Sequence, residues 1–330
     1  PARVPSDANE SVTSSQSLSL GLFGAAIAVS AWGSSGVIVK ALDLDPVAIS
    51  FYRFTVYSFA IFLVLRLRGN KPTLRVLKHS AAGGISLGID VVLFFTAVKT
   101  TTIVNATTIG ALQPIIVLSI ATRFFGERVR LREIIAAFVA IAGVVVVITQ
   151  SSGNPEWNGA GDLAALGALF AWTGYIVMSK RSAGVLTSTE YTLGTGFWTA
   201  LVALPVGFAA GQDMSIPNVN QWAVLLALVI IGGLFGHSLM NWSLTRIPLW
   251  IGSTLTLLIP IVSSLIAWIA LDEALTAIQL GAIGLVIVAL SVIVTSQRNP
   301  TPTPPPTAPL TSATTDSLSG DTKPTSPPNP

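Results

Sequence analysis

Residues Gly24–Lys40 read GAAIAVSAWGSSGVIVK, and residues Ala164–Lys180, 140 positions later, read AALGALFAWTGYIVMSK. Both stretches are uncharged up to a closing lysine, and both centre on Ala-Trp, at Ala31-Trp32 and Ala171-Trp172. A helix needs about 20 predominantly apolar residues to cross a bilayer. Each stretch belongs to a run of that length, and the same kind of run recurs along the chain. The runs lie near 19–39, 47–65, 79–99, 102–122, 132–149, 160–179, 188–209, 221–243, 248–270 and 277–296. The expected fold class is an all-α integral membrane protein. It has ten transmembrane helices, arranged as two inverted five-helix repeats.

Composition agrees with a bilayer as the solvent. Charged residues make up 10% of the chain, against about 25% in an ordinary soluble domain. Mean hydropathy is +0.71. The net charge of +3 is small and its basic residues are not clustered on a polar surface, so no nucleic-acid partner is expected. Cysteine is absent, which removes disulfides and thiolate metal sites. The sequence holds no H-E-x-x-H and no Gly-rich phosphate loop ending in Lys-Ser/Thr. No catalytic residue, metal ligand or cofactor is therefore assigned, and the chain is not expected to be an enzyme.

The flanks are polar. Residues 1–18 lack a basic segment of the secretory-signal type and are expected to be a disordered cytoplasmic N-terminus. Residues 299–330 hold ten of the twenty prolines, mixed with Thr and Ser. Such a tail buries too little apolar surface to fold and is expected to be disordered and cytoplasmic. Between them lie a first repeat at 19–149, a linker at 150–159 and a second repeat at 160–298.

Orientation follows from the basic residues. Arg66, Arg68, Lys71, Arg75 and Lys78 follow the second run. Arg123, Arg128, Arg130 and Arg132 follow the fourth, Lys180 and Arg181 the sixth, Arg246 the eighth and Arg298 the tenth. With ten spans all thirteen share one face, and the opposite face holds Lys40 and Lys99. The positive-inside rule makes the basic face cytoplasmic, which puts both termini there.

The internal match extends beyond the first and sixth runs. NATTIGALQPIIVLSIATRFFGE, ending at Glu127, aligns with WIGSTLTLLIPIVSSLIAWIALDE, ending at Glu273. Pro114 falls on Pro260 and Glu127 on Glu273. Five spans per copy is an odd number, so the second copy enters the membrane upside down. Inverted repeats place a transport site near the midplane between the halves.

With these residues in view, the chain resembles the EamA-like ten-span branch of the drug/metabolite transporter superfamily over about residues 19–298. AWGSSGVIVK, Arg53-Phe54, Leu112–Pro114 and Gly126-Glu127 carry the resemblance. Their echoes are AWTGYIVMSK, Pro260 and Asp272-Glu273. The second half departs from the pattern where Asp272 replaces glycine and where no equivalent of Arg53 stands. The resemblance implies a transporter in the cytoplasmic membrane. The family carries amino acids, nucleobases, sugars and drugs, and the resemblance favours export.

Polar side chains inside the spans are the candidate site. An ionisable group at mid-bilayer costs at least a few kcal/mol unless it faces a cavity or a partner. Asp90, in the third run, is the candidate proton or substrate-ammonium site. Arg53, in the second, is either a carboxylate ligand or the structural ion-pair partner of Asp90. His237 sits close to the repeat position of Asp90, because Gly84-x-x-x-Gly88 aligns with Gly232-x-x-x-Gly236; imidazole titrates near neutrality and carries protons readily. Trp32, Tyr175 and Trp172 offer stacking surfaces; Asn105, Gln113 and Asn241 offer hydrogen bonds. Pro114 and Pro260 are expected to bend spans four and nine. GERVRLRE, from Gly126 to Glu133, reads as a capped, membrane-anchoring turn. Ala136, Ala140 and Gly143, with Ala277, Gly281 and Gly284, form small-residue stripes for close helix contact, either within one chain or as a homodimer through helices five and ten.

The expected function is secondary transport of a small polar or amphipathic metabolite by alternating access, as export and with proton coupling. Its partners are that small molecule, the lipid bilayer and protons. The path is expected between the halves, lined by spans one, three, four, six, eight and nine. Two other readings stay open on sequence: an intramembrane enzyme acting on a lipid-linked substrate, and a non-transporting scaffold. The topology has a direct check. A reporter fused after residue 298 should read cytoplasmic, and one inserted in loop 211–220 should read external; the reverse pattern would overturn the assignment.

Overall fold

The computed structural model describes residues 6–40, 42–101, 103–152, 158–271 and 274–298. The tail 299–330, residues 153–157 of the expected linker and Asp272-Glu273 lie outside the described residues. Among the described residues the chain is helical, with no strand beyond one isolated bridge, Ala183 to Leu186. Ten helical stretches are long and apolar enough to span a membrane. They are spans 1 to 10: Gln16–Ser35, Pro46–Leu67, Leu74–Phe94, Asn105–Phe124, Leu131–Gln150, Gly159–Ser182, Ser188–Ala209, Val219–Leu244, Leu249–Ile269 and Ala277–Gln297. All ten expected runs are present. One difference lies at the start. The first helix runs Ser6–Lys40, so it reaches back into the segment expected to be disordered. That segment holds no proline or glycine between Ser6 and Leu20, and nothing in it breaks a helix begun in the membrane.

Helix ends are set locally. Pro46 occupies the first turn of span 2, where its missing N–H costs nothing. Asn158 accepts from Gly161 N at 3.0 Å at the head of span 6. Thr187 and Glu190 form a capping box ahead of span 7, and Asn218 and Gln221 form another ahead of span 8. Gly126, at φ 63°, closes span 4, with Glu127 N donating to Ala121 O at 3.1 Å.

The spans pack in a pattern that survives exchanging each with the one five places on. Span 3 lies on span 6, as span 8 lies on span 1. Span 1 contacts span 9, as span 6 contacts span 4; spans 2 and 7, 4 and 9, and 5 and 10 pair directly. The main core runs through these contacts, with Tyr57, Val117, Ala140, Val144, Ile176, Met240, Trp250, Val286 and Ile293 all buried.

Spans 4 and 9 are both interrupted. Helix Ile103–Gly110 gives way to Gln113–Phe124, and Leu249–Leu255 to Leu258–Leu271. Each step is made with three-residue hydrogen bonds. Leu112 N donates to Ile109 O at 3.1 Å, and Leu257 N to Thr254 O at 3.1 Å. Pro114 and Pro260 follow directly; having no N–H, neither can repair the ladder there. Span 8 is irregular differently, with Val229–Ser238 forming a π-helix.

The span-five stripe is used within the chain. Ala136, Ala140 and Gly143 are buried, and Gly143 abuts Val286 and Ala282 of span 10. Gly281 and Gly284, by contrast, face open space. Span 10 of the same chain thus covers the span-five stripe. Glu133 fastens the same pair. It accepts from Arg130 N at 2.8 Å, from Gln297 Nε2 at 3.1 Å and from Ser296 Oγ. Gly143→Leu should wedge spans 5 and 10 apart, since a Cβ there would already lie 2.6 Å from Val286 Cγ2. Overpacking of this kind costs about 1–3 kcal/mol, read as a lower melting temperature in detergent. Gly281→Ala should leave the melting temperature unchanged.

Candidate functional site

A cavity of about 1140 Å³ lies between the spans. Its wall takes residues from all of them except span 7, with Arg53 from span 2, Val144 and Ile148 from span 5 and Gln279 from span 10 added to the six expected spans. It reaches Gln150, Ala274, Leu275 and Thr276 at the ends of spans 5, 9 and 10. None of its wall residues comes from the basic loops 66–78, 123–131, 181–188 or 245–248. The cavity therefore runs toward the face opposite the basic loops and stops short of the basic face.

Of the residues selected from sequence, Trp32, Arg53, Asp90, Gln113, Trp172, His237 and Pro260 line this cavity. Arg53 and Asp90 are both half-buried, and no ion pair joins them among the described residues. The structural-pair reading is thus not what the structure has. Arg53 instead lies over the Phe54 ring, its Cζ 5.0 Å from the centroid. Asn105 is placed elsewhere. Its Nδ2 donates to Asp162 Oδ1 at 2.9 Å, and Thr101 Oγ1 donates to the same oxygen at 2.7 Å. Asn105 thereby ties span 4 to the head of span 6 rather than joining the wall, because a carboxylate at that depth takes up nearby donors.

Tyr175 and Asn241 are also off the wall. Both are buried below His237 in one network. Asn241 Nδ2 donates to Thr192 Oγ1 at 3.1 Å, while its Oδ1 accepts from Ser179 Oγ at 2.7 Å and Tyr175 Oη at 3.1 Å. A phenol has one proton, here given to Asn241. The 3.2 Å contact between Tyr175 Oη and His237 Nδ1 then requires the ring to donate. That sets the tautomer of a neutral His237 and leaves Nε2 as its acceptor.

Aromatic rings hold the imidazole on several sides. Centroid distances to His237 are 5.2 Å from Trp32, 5.4 Å from Phe54 and 5.7 Å from Tyr175. Trp32 meets Trp172 edge-on at 5.1 Å. The π-helix makes the approach feasible. A Cβ at Gly232 would lie 2.8 Å from both Arg53 Nη2 and Ser35 Oγ, and one at Gly233 would lie 2.8 Å from the Tyr57 ring. A Cβ at Gly236 would collide with Trp32 Nε1. Four side chains thus rest on bare backbone at three glycines, where a Cβ would force them to shift.

Three buried nitrogens at the cavity have no protein partner: Trp32 Nε1, Arg53 Nε and Gln113 Nε2. Gln113 is oriented by Ser253 Oγ, which donates to its Oε1 at 3.0 Å and links the two interrupted spans. All three are donors. A buried donor left unmade costs about 1–3 kcal/mol, so each is a point where an acceptor would lower the free energy. Asp90 supplies the one carboxylate among the described wall residues.

Sequence reasoning missed Ser35, Ser263 and Ser264 in the wall and the glycine role of the π-helix. The Gly232-x-x-x-Gly236 spacing was visible but read only as a repeat marker. Tyr175→Phe removes the hydroxyl that joins His237 to Asn241. It should cost about 1–3 kcal/mol, measured as reduced thermal stability, with membrane insertion retained.

Comparison with known proteins follows the same lines. Residues 19–149 and 159–295 each match the EamA-like transporter family. A probable amino-acid metabolite efflux pump of Escherichia coli (strain K12) is 26% identical over 277 residues, covering 78% of this chain and 90% of that protein. The threonine/homoserine exporter RhtA of the same strain is 27% identical over 210 residues, covering 62% of this chain and 67% of its own length. A solved crystal structure superposes with a TM-score of 0.70 at 19% identity, over 86% of this chain and 99% of that one. At that identity it speaks for the fold alone.

Proposed function

The chain belongs to the EamA-like transporter family, and we propose that it exports a small amino-acid-like metabolite through the central cavity. The family makes it a multi-pass membrane transporter and not an enzyme, so the intramembrane-enzyme reading falls away. The observation that carries the substrate reading is the set of unpartnered donors at Trp32, Arg53 and Gln113, in a cavity that also holds the Asp90 carboxylate. A carboxylate accepts from the donors and from the Arg53 guanidinium. A substrate ammonium answers Asp90. The volume of about 1140 Å³ lies at the upper end of ordinary ligand pockets and leaves room for a side chain and water. The names of the relatives, an amino-acid metabolite efflux pump and a threonine/homoserine exporter, agree with this chemistry.

The transport cycle in this reading is alternating access between two inverted five-span halves, with the termini and basic loops cytoplasmic. Support comes from the exchange symmetry of the packing and from a cavity that runs to the face opposite the basic loops. In this state the cavity faces outward. Asp90, with neither an ion pair nor a hydrogen bond among the described residues, is the group where a proton and a substrate ammonium compete. That competition couples the proton gradient to export.

Proteoliposomes holding this protein alone test the reading, with labelled amino acids and a set pH gradient. Flux of none of them would leave the scaffold reading in its place. Arg53→Gln should weaken binding of a carboxylate substrate by roughly ten- to a hundredfold, the loss expected for a charged hydrogen bond, and leave the matching amide almost unaffected. Asp90→Asn should abolish accumulation driven by the pH gradient while downhill exchange stays measurable. Normal accumulation by a correctly inserted Asp90→Asn protein would overturn proton coupling through that residue.

A further inference from the structure

Glu127 and Lys180 lie outside the cavity, at the basic-loop face, and both grip the turn between spans 8 and 9. Lys180 Nζ donates to Leu244 O at 2.8 Å and to Ile247 O at 2.6 Å. Glu127 Oε1 accepts from Leu249 N at 2.7 Å, and its Oε2 from Trp250 N at 3.1 Å. The ammonium thus takes carbonyls where span 8 ends, and the carboxylate takes N–H groups where span 9 begins. Glu127 belongs to the first half and its partners to the second. Charge-assisted bonds of this kind are the stronger ones in proteins.

The surroundings show what the grip holds. Between the cavity and this turn the chain is filled. Tyr175, Ser179, Thr192, Asn241, Leu244, Ile247 and Trp250 are all buried. The contacts bear on the basic-face pieces of the two interrupted spans, Leu249–Leu255 and Gln113–Phe124, the latter ending three residues before Glu127; the two pieces pack on each other. Each is separated from the rest of its span by a break next to the cavity floor, at Gly110–Gln113 and at Thr256-Leu257. A short helix with a break at one end and a charged contact at the other is a lever with a catch.

We propose that Glu127 and Lys180 are positioning residues that latch the basic-loop face shut while the cavity is open on the opposite face. Releasing them frees the backbone groups of the 244–250 turn to water and lets the two short segments swing about their breaks. The idea goes beyond the substrate reading and needs no substrate for its test. Neither residue touches the cavity, so a substrate-binding defect and a latch defect separate.

The absence of cysteine allows single reporters. Asn70→Cys, in an exposed basic loop, marks the face. Ser179→Cys and Ala121→Cys report the buried layer, and Ser264→Cys reports the cavity. A membrane-impermeant maleimide is applied to each face of sealed vesicles without substrate. In the parent, the buried-layer reporters should be protected from the face that labels Asn70→Cys. Glu127→Gln or Lys180→Met should raise their labelling from that face roughly tenfold, as expected for losing a charged hydrogen bond, and lower labelling of Ser264→Cys from the other. Lys180→Arg, which keeps the cation and its donors, should stay near the parent. Parental labelling in both inserted variants would overturn the proposal. So would a rise on both faces together, which means loosening and not gating. Glu127→Asp, one methylene shorter, keeps the test open should the neutral variants fail to insert.

Discussion

Every backbone N–H and C=O inside a bilayer must find its partner within the protein, because no water waits there to accept it. That constraint makes the described spans helical and makes each departure from the α-helix informative. Three departures occur inside spans: the breaks in spans 4 and 9 and the π-helix of span 8. All three border the cavity, through Gly110 and Gln113, through Thr256 and Leu257, and through His237. Irregular backbone is tolerable there because side chains such as Thr256, whose Oγ1 donates to Ser253 O at 2.6 Å, and the cavity itself can answer the freed groups. The same irregularity brings Arg53, Tyr57 and Trp32 onto bare backbone at Gly232, Gly233 and Gly236.

Polar groups in the bundle divide into two kinds. Some are satisfied by protein, and these hold the structure. Asp162 with Asn105 and Thr101, Glu133 with Gln297, and Asn241 with Tyr175, Ser179 and Thr192 are of this kind. Others have no protein partner among the described residues; the hydroxyls of Thr108, Thr173 and Ser243 lie off the cavity wall, whereas the three nitrogens belong to wall residues. Trp32 Nε1, Arg53 Nε and Gln113 Nε2 are donors in a setting where an unmade hydrogen bond is costly. The wall residues thus carry three buried, unpartnered donors and one carboxylate among the described residues.

Closure on one face and opening on the other rest on different interactions. The open side is wide and mixed in polarity. The closed side is packed, and its outermost contacts are ionic groups holding backbone. Such contacts are strong when dry and weaken once water reaches them, which in the proposed cycle suits a surface sealed in one state and wet in another.

The span positions, the paired halves of the chain and the separation of basic residues were all legible in the sequence, because hydrophobic length and charge are local properties of a segment. So were Arg53, Asp90, His237, Trp32 and Gln113 as wall residues, since polar groups in apolar runs are few and costly. The fates of Asn105, Tyr175 and Asn241 were not legible. Each has the same composition of neighbours as a wall residue, and only the rotation of its helix decides whether it meets the cavity or a partner. Nor could the sequence separate a bound Arg53–Asp90 pair from two independent charges, since that depends on a distance across spans. The stripes of spans 5 and 10 looked alike, yet one is buried within the chain and the other faces outward. Sequence determined which segments enter the membrane, because transfer free energy sums along a helix. Tertiary structure alone decided which polar groups were left unpaired, because pairing is settled by contacts between helices far apart in the chain.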